Sequence, residues 1–461
     1  MVKNWAIEKI FLIISLIFGF LYIFILPPFQ SVDEGAHFFR TFQISQGKFL
    51  AKNINNQIGD TLPTSLTIFQ NNYAPLIKNI EKKTNLKEVK NTFSIKTAPE
   101  IKQFTEFPNT ALYSPICYIS QIIGVITGNC ISNRLAIAFF LGRLCNLLFY
   151  CLIVYYAIKI IPFYKIPLLC LAVMPMSLSL ASAYSSDVMV LGLNFLWIAL
   201  LLKILTNKSK LYKFKDKEIF YLILTSLFIT LSKTYILALP LIFLLPVSKF
   251  KTKRDYILSI STICISSFAA LLCWMLLIKG LTLNMNNAIA NPELQSAFIK
   301  AHPIQYIGIM LKTFLVKTPR LYITMVGVLG WQDTVLDYFT YFIYPFLIYF
   351  GIRTDEYNFQ LTKWQKSVIG ITLLIGVLIT YTSLYIMWSP VANNVILGLN
   401  GKYFIPLMLP LFLLFKSPKS KYNFEIIKYV IIIILIFILL SSEVSLLHRF
   451  YNITPNLYYK I

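Results

Sequence analysis

Residues 10–40 read IFLIISLIFGFLYIFILPPFQSVDEGAHFFR, and this stretch decides the predicted fold. Residues 10–26 are an unbroken apolar run that is long enough to cross a bilayer. Pro27-Pro28-Phe29 follows in place of a small-residue cleavage site, so we expect a retained membrane anchor and not a signal peptide. The motif Asp33-Glu34-x-x-His37-x-x-Arg40 comes next. It places two carboxylates, an imidazole and a guanidinium beside the membrane surface.

The rest of the chain repeats this apolar pattern. Its 461 residues are 57% hydrophobic and have a mean hydropathy of +0.68. A soluble domain of this length cannot bury so much apolar surface, so we predict an all-α polytopic integral membrane protein forming a single transmembrane domain over residues 1–461. About eleven spans are expected, at 10–26, 135–158, 166–184, 188–204, 218–232, 235–248, 256–279, 336–352, 366–387, 402–415 and 425–447.

The net charge of +23 comes mainly from Lys and Arg in short loops between the apolar runs. This distribution is the orientation signal of membrane proteins, and it also favours contact with the lipid bilayer, so nucleic acid is not a predicted partner. Lys3 and Lys9 predict a cytoplasmic N-terminus. Three basic segments are predicted on the same side: Lys203 to Lys217, Lys249 to Arg254, and Lys416 to Lys421.

Two long segments are then expected outside. The first external loop covers 27–110 and includes a juxtamembrane helix at 31–47. The second covers 280–335 and includes an interfacial helix. Because the sidedness must alternate, 111–128 and 304–330 are predicted to be interfacial or re-entrant helices. The alternative is that they span the membrane and one basic loop faces outward.

The predicted helix 31–47 carries the strongest candidate site. Ser31 and Glu34 have capping-box spacing, and Gly47 is a typical helix stop. Asp33, His37 and Arg40 share one face at helical spacing, with Glu34 beside them. An alternative explanation is that the helix dipole alone favours acids in a first turn.

Three further charged residues lie in or near predicted spans. Asp187 follows Ser185-Ser186 between two apolar helices, where it is either a functional carboxylate or part of an N-cap. Arg143 lies about 13 Å into a span at the rise of an α-helix. A cation at that depth needs a phosphate or carboxylate partner, or hydrogen bonds to the backbone of a neighbouring helix. Lys233, between two spans, either binds phosphate or caps a helix.

Two glycine-containing clusters complete the candidates. Gly327-Val-Leu-Gly330-Trp331-Gln332-Asp333 and Asn400-Gly401-Lys402-Tyr403-Phe404 each combine a charge with an aromatic residue. Trp and Tyr are also ordinary residues of the membrane interface, which is the alternative reading. By the predicted topology these clusters lie on the same side as Asp33. The seven cysteines have no metal-site or disulfide-framework spacing.

These segments resemble, in order, the DUF2142 family of predicted bacterial membrane proteins. The resemblance rests on Pro27 to Arg40, Gly142-Arg143-Leu, Ser185-Ser186-Asp187, Ser232-Lys233, Gly327 to Asp333, and Gly401-Lys402-Tyr403-Phe404. That family is grouped with GT-C glycosyltransferases, which use polyprenyl-phosphate-linked sugars. The resemblance implies that Asp33 is the catalytic acid-base residue and Glu34 its partner. This chain has Lys402 where Arg is expected and Gly35 where Pro is expected.

The predicted function is transfer of a sugar from a polyprenyl-phosphate-linked donor to an envelope glycan or glycolipid acceptor. The predicted location is the external face of a bacterial cytoplasmic (inner) membrane. The donor would be bound by His37, Arg40, Arg143, Asp187, Lys233, Trp331, Asp333, Lys402 and Tyr403. A Mg²⁺ or Mn²⁺ ion shared by Asp33 with Glu34, Asp187 or Asp333 is a further expectation, because hard oxygen ligands suit these ions. The alternatives are a lipid-linked glycan flippase and a non-catalytic envelope scaffold.

Overall fold

The computed structural model describes residues 6–232, 238–281, 290–354, 360–415 and 424–451. The described chain is mostly helical. Six of its helices are long and apolar enough to cross a membrane: Ile7–Ile25, Leu135–Ile160, Asp187–Thr206, Lys253–Leu277, Lys363–Trp388 and Glu425–Phe450. Each coincides with one of the eleven predicted spans.

The N-terminal part places the first candidate membrane span next to a small mixed unit. Helix α1 is followed by the short helix α2, by an antiparallel sheet with strand order β1-β2-β3, and by short helices. The sheet departs from the predicted all-α class. The elements are α1 (Ile7–Ile25), α2 (Glu34–Ser45), β1 (Lys52–Ile54), β2 (Gln57–Pro63), α3 (Thr64–Asn71), α4 (Leu86–Asn91), β3 (Lys102–Glu106), α5 (Pro108–Ala111) and α6 (Ile119–Ile131).

The middle of the chain forms the helical core. Helix α10 is apolar all round, and it is accordingly buried along most of its length, against α7, α11 and α17. The elements are α7 (Leu135–Ile160), α8 (Lys165–Ala172), α9 (Pro175–Ala181), α10 (Asp187–Thr206), α11 (Lys217–Leu231) and α12 (Lys253–Leu277).

The C-terminal part adds the helices that close the candidate site. It also contains a two-stranded antiparallel sheet between α14 and α15. The elements are α13 (Pro292–Ala301), α14 (Pro303–Gly327), β4 (Val328–Leu329), β5 (Thr334–Val335), α15 (Tyr338–Arg353), α16 (Lys363–Trp388), α17 (Ile405–Phe412) and α18 (Phe424–Phe450).

The other five predicted spans form shorter elements in the described residues. The predicted span 166–184 is divided into α8 and α9, because Met174 is extended and Pro175 starts a new helix. The predicted span 235–248 contains a 3-10 helix, Leu239–Leu244. Segments 218–232 and 336–352 form α11 and α15, of 15 and 16 residues. Segment 402–415 forms the 3-10 helix Gly401–Phe404 and then α17.

The two segments predicted to be interfacial also form helices. Segment 111–128 becomes a 3-10 turn at Pro115–Tyr118 followed by α6, and segment 304–330 becomes α14. Three basic residues, Lys312, Lys317 and Arg320, interrupt the apolar sequence of α14, which is not among the six candidate spans. Whether α6 and α14 cross the bilayer or lie in its interface stays a prediction.

The juxtamembrane helix begins later than predicted. Helix α2 starts at Glu34, and Asp33 before it has a left-handed backbone with φ 60°. The predicted capping box between Ser31 and Glu34 is wrong, because the Glu34 carboxylate instead binds Arg143. Gly47, with φ 78°, follows the end of the helix, and its N–H donates to Ile44 O at 2.9 Å. Glycine adopts this conformation at little steric cost.

Candidate functional site

A cavity of about 340 Å³ lies where α2, α5, α10, α16 and the Gly401–Phe404 turn meet. Its walls bring together Asp33 and His37, Asp187, and Lys402 and Tyr403, from three segments that are widely separated in the sequence. The remaining lining residues are Asn109, Thr110, Tyr113, Val190, Leu191, Ile379, Thr380, Ser383, Leu384, Met387, Trp388 and Pro406. Five of the eleven predicted site residues therefore share one cavity.

Asp33 is held at the cavity by an unusual backbone conformation. Its φ of 60° is in the left-handed region, where Asp is one of the better-tolerated non-glycine residues. Its main-chain carbonyl accepts the first hydrogen bond of α2, from His37 N–H at 3.1 Å. No hydrogen bond or ion pair reaches its carboxylate from any part of the chain that the structure describes. Asp33 therefore presents an unpaired carboxylate to the cavity.

His37 lies one turn further along α2 and is fixed by two tyrosines. Its Nδ1 is 2.8 Å from the Tyr118 hydroxyl. Its ring is nearly parallel to that of Tyr113, with 6.1 Å between centroids. These contacts orient the imidazole toward the cavity that Tyr113 also lines.

Asp187 and Lys402 form an ion pair in the cavity wall. Lys402 Nζ is 2.8 Å from Asp187 Oδ2, and both side chains are largely buried. Asp187 is the first residue of α10; the Ser186 side chain makes no capping bond, but the Ser185 hydroxyl accepts a hydrogen bond from Asp187 N–H at 3.0 Å. Lys402 Nζ also lies 5.8 Å from the centroid of the Tyr403 ring.

The turn that carries Lys402 depends on a glycine. A Cβ on Gly401 would be 1.8 Å from Leu321 O and 2.4 Å from Met325 N, both in α14. The Gly401 N–H donates to Thr324 Oγ1 at 2.9 Å. Close packing on α14 thus determines where Lys402 enters the cavity.

The remaining wall is apolar and comes from two candidate membrane spans. Val190 and Leu191 belong to α10, and Leu384, Met387 and Trp388 belong to α16. Ile379 and Trp388 are 44% and 37% exposed, so the cavity reaches the outer surface of α16. The arrangement combines charged groups with an apolar wall that reaches the exposed surface of α16.

Glu34 lies on the other side of α2, away from this cavity. It is fully buried, and its carboxylate forms a bidentate ion pair with Arg143. Arg143 Nε is 2.8 Å from Glu34 Oε1, and Arg143 Nη2 is 2.7 Å from Glu34 Oε2. It also accepts a hydrogen bond from Tyr184 N–H at 3.0 Å. A carboxylate engaged in this way is not available as the catalytic partner of Asp33, so the geometry does not support the predicted role.

Arg143 is saturated by the fold. One N–H goes to each Glu34 oxygen, and three others go to the main-chain carbonyls of Ile23, Leu26 and Pro27 at the end of α1. These bonds use all five N–H groups of a guanidinium. The prediction that Arg143 binds a donor phosphate is not supported, because no donor group remains for it. The expected carboxylate partner is Glu34.

A second glycine allows this arrangement. A Cβ on Gly142 would lie 1.8 Å from the Tyr184 hydroxyl. Tyr184 N–H binds Glu34, and the Tyr184 hydroxyl donates to Ala138 O at 3.2 Å. The Gly142-Arg143 pair therefore provides both the space and the charge for the clamp.

Arg40 is also turned away from the cavity. Its guanidinium donates to the main-chain carbonyls of Phe49 and Tyr113 at 2.8 and 3.1 Å, and to the Gln43 carboxamide. Burial lowers the pKa of Arg40 from its ordinary value. The predicted role in phosphate binding is not supported, because Arg40 instead ties the end of α2 to the following loop.

The Gly327–Asp333 cluster forms a structural clamp. Asp333 pairs with the buried Arg449 at 2.6 Å, and Arg449 also donates to Leu76 O at 2.7 Å. The Trp331 indole donates to Phe29 O at 2.9 Å. Neither Trp331 nor Asp333 lines the cavity, and their roles in donor binding stay predictions. Arg449 was missed, although a basic residue at the end of an apolar helix is a recognisable signal.

No group of three metal-binding side chains occurs within the described ranges. Glu34 is bound to Arg143, and Asp333 to Arg449. Asp187 is bound to Lys402. The residues therefore do not fit the predicted shared ion.

Lys233 lies outside the described residues. Asn109, Thr110 and Tyr113 have no chemical motif in the sequence, and only the tertiary structure brings them to Asp33.

Comparison with known proteins gives one match. A family model described as "Predicted membrane protein (DUF2142)" matches residues 16–411, which is most of the chain. No curated protein and no solved structure matches. The matched region contains the charged motif after α1, the Arg143 clamp, and all the lining residues of the cavity. With these features in one continuous match, the chain belongs to the DUF2142 family of predicted membrane proteins.

Proposed function

We propose that the protein transfers a sugar from a polyprenyl-phosphate-linked donor to an envelope glycan or glycolipid, with Asp33 as the general base. The observation that carries this proposal is the unpaired Asp33 carboxylate at the polar end of a cavity whose other wall is apolar and reaches the surface of α16. A substrate with a charged head and a hydrocarbon tail matches this combination. The GT-C-like fold and about eleven spans belong to the same proposal.

The proposed chemistry uses Asp33 for one proton. The acceptor hydroxyl attacks the anomeric carbon of the donor, the new carbon–oxygen bond forms, and the bond to the phosphate oxygen breaks. Asp33 takes the hydroxyl proton, and the polyprenyl phosphate leaves with the bonding electron pair. General base catalysis of this kind typically contributes 10²–10⁴-fold to a rate, so a single carboxylate is worth testing.

Lys402 is the proposed phosphate contact. An ammonium group has three N–H donors, so Lys402 can keep its bond to Asp187 and still donate to a phosphate oxygen. Asp187 then acts as a positioning residue. His37 and Tyr403 line the same polar end and are proposed to contact the donor head group.

The lipid tail is proposed to leave the cavity along α16. Ile379 and Trp388 both line the cavity and are exposed on the outer surface of that helix. This direction keeps the hydrocarbon in the bilayer while the phosphate stays near Lys402. We place this site at the external face of a bacterial inner membrane, with the N-terminus in the cytoplasm.

A flippase needs a polar path between helices, and Arg143, predicted to lie deep within a span, is the candidate residue for such a path. Its five N–H groups are all used within the fold. Sugar transfer at the Asp33 cavity is therefore the better-supported proposal. The scaffold alternative gives no reason for an unpaired carboxylate in a cavity.

The test compares a deletion strain rescued with the wild type, with Asp33→Asn or with Asp337→Asn, at matched membrane abundance. Asp337 is exposed and lies outside the cavity, so it is a control for the same chemical change. We expect Asp33→Asn alone to lose the envelope glycan and to accumulate lipid-linked donor on the outer face. Full rescue by Asp33→Asn would contradict the proposal, and accumulation on the inner face would favour a flippase.

A further inference from the structure

A second cleft, of about 370 Å³, lies in the loop that joins α2 to α6, and no residue of the Asp33 cavity lines it. Its walls come from the end of α3, the segment before α4 and the end of α4. The residues are Asn72, Tyr73, Pro75, Leu76, Lys82, Lys83, Thr84, Glu88, Asn91, Thr92, Ser94 and Ile95. Most of them are polar, which distinguishes this cleft from the half-apolar cavity at Asp33.

The cleft is built on a fixed base. Arg449 at the end of α18 donates to Leu76 O and Lys82 O, at 2.7 and 3.4 Å. The Lys83 ammonium donates to His448 O and Arg449 O, at 2.9 and 2.8 Å. Thr84 N–H continues this docking with a 2.8 Å bond to Phe450 O. The walls are therefore anchored to a long helix, although they belong to a loop.

The groups that face the cleft are suited to a neutral ligand. The Asn72 and Asn91 carboxamides make no hydrogen bond to any of the described residues, and each offers both donors and acceptors. The Glu88 carboxylate accepts from Thr84 and Asn85, at 2.8 and 2.9 Å, and partly offsets the charge of Lys82. The Lys83 ammonium uses two of its three N–H donors on main-chain carbonyls, so it has little hydrogen-bonding capacity left for a phosphate.

We infer that this cleft is a binding site for a neutral glycan. A ligand rich in hydroxyl groups both donates and accepts hydrogen bonds, which suits the two carboxamides and the one carboxylate that line the cleft. The volume falls within the ordinary range of small-ligand sites, roughly 300–1,000 Å³. The inference concerns binding alone, so it does not depend on sugar transfer at Asp33.

The test uses the purified full-length protein in nanodiscs, with fluorescently labelled maltotriose, chitotriose and mannotriose as neutral probes. Inorganic phosphate is the anionic competitor. We expect at least one trisaccharide to bind, and the double substitution Asn72→Ala/Asn91→Ala to weaken that binding about tenfold through loss of two hydrogen bonds. Phosphate should not compete.

Asn79→Ala is the matched control, because Asn79 is exposed on the same segment and does not line the cleft. Asp33→Asn should bind the trisaccharide as the wild type does, which separates this site from the transfer site. The inference is overturned if no trisaccharide binds above empty nanodiscs, if the double substitution has no effect, or if phosphate displaces the bound probe and Lys82→Gln abolishes binding.

Discussion

Asp33 and Glu34 are adjacent carboxylates with opposite surroundings. Glu34 is fully buried and neutralised by Arg143, whereas the Asp33 carboxylate lines a cavity and receives no hydrogen bond or ion pair from the described residues. The left-handed backbone at Asp33 separates them, because it turns one side chain to each side of α2. Neighbouring acids in one motif therefore need not share a role. One stabilises the fold, and the other is available for chemistry.

Removal of the Glu34 charge is the strongest test of the difference between the two carboxylates. We expect Glu34→Gln to reduce the free energy of unfolding by about 3–5 kcal/mol, because it leaves the buried Arg143 without its counter-charge. Denaturant unfolding in detergent measures this effect. Glu81→Gln, at an exposed position, is the control and should have little effect. A Glu34→Gln variant as stable as that control would show that the ion pair does not hold the fold.

The same change at Asp33 should have the reverse outcome. Asp33→Asn is expected to lower the transfer rate about 10²–10⁴-fold and to change the free energy of unfolding by less than about 0.5 kcal/mol. Asn tolerates the left-handed backbone, so the control Asp33→Ala should cost about 1–2 kcal/mol of stability in addition. Turnover of lipid-linked donor and denaturant unfolding are measured on the same preparations. Equal losses in the free energy of unfolding for Asp33→Asn and Glu34→Gln would contradict the distinction between a functional and a structural carboxylate.

The Asp187–Lys402 pair should fall between these two cases. A double-mutant cycle with Asp187→Asn and Lys402→Met is expected to give a coupling energy of about 1–2 kcal/mol in unfolding, since the pair is largely but not fully buried. Lys402→Met should also raise the KM for the donor more than Asp187→Asn does, because Lys402 is the proposed phosphate contact. Additive effects in the unfolding cycle would contradict the pairing.

The smallest expected effect concerns the segment that leads into both carboxylates. Trp331→Phe removes the indole bond to Phe29 O and should cost about 1 kcal/mol of stability. Differential scanning fluorimetry in detergent measures it, with Trp364→Phe as the control, because the Trp364 indole makes only a long, exposed bond at 3.3 Å. A larger loss at Trp364 would show that the Phe29 contact does not anchor the segment.

The sequence predicts the long helices well and the short ones less well. Continuous apolar runs such as 135–158 and 188–204 correspond to α7 and α10. A long apolar helix can be predicted locally, because its burial does not depend on specific polar contacts with neighbouring helices. The predicted span 166–184 is not one helix, because a new helix begins at Pro175. The apolar residues around Pro175 give no local signal of this break. The small sheet was missed because its short strands have mixed polarity.

The candidate site was predicted residue by residue but not as an assembly. The sequence alone determined the first apolar span, the number and kind of charged groups near it, and the family resemblance that the comparison confirmed. Only the tertiary structure decided which charges are paired, because the buried Arg143 guanidinium pairs with the carboxylate that the fold brings within hydrogen-bonding distance. Partner choice depends on distances between helices that are remote in the sequence, and no local pattern contains those distances.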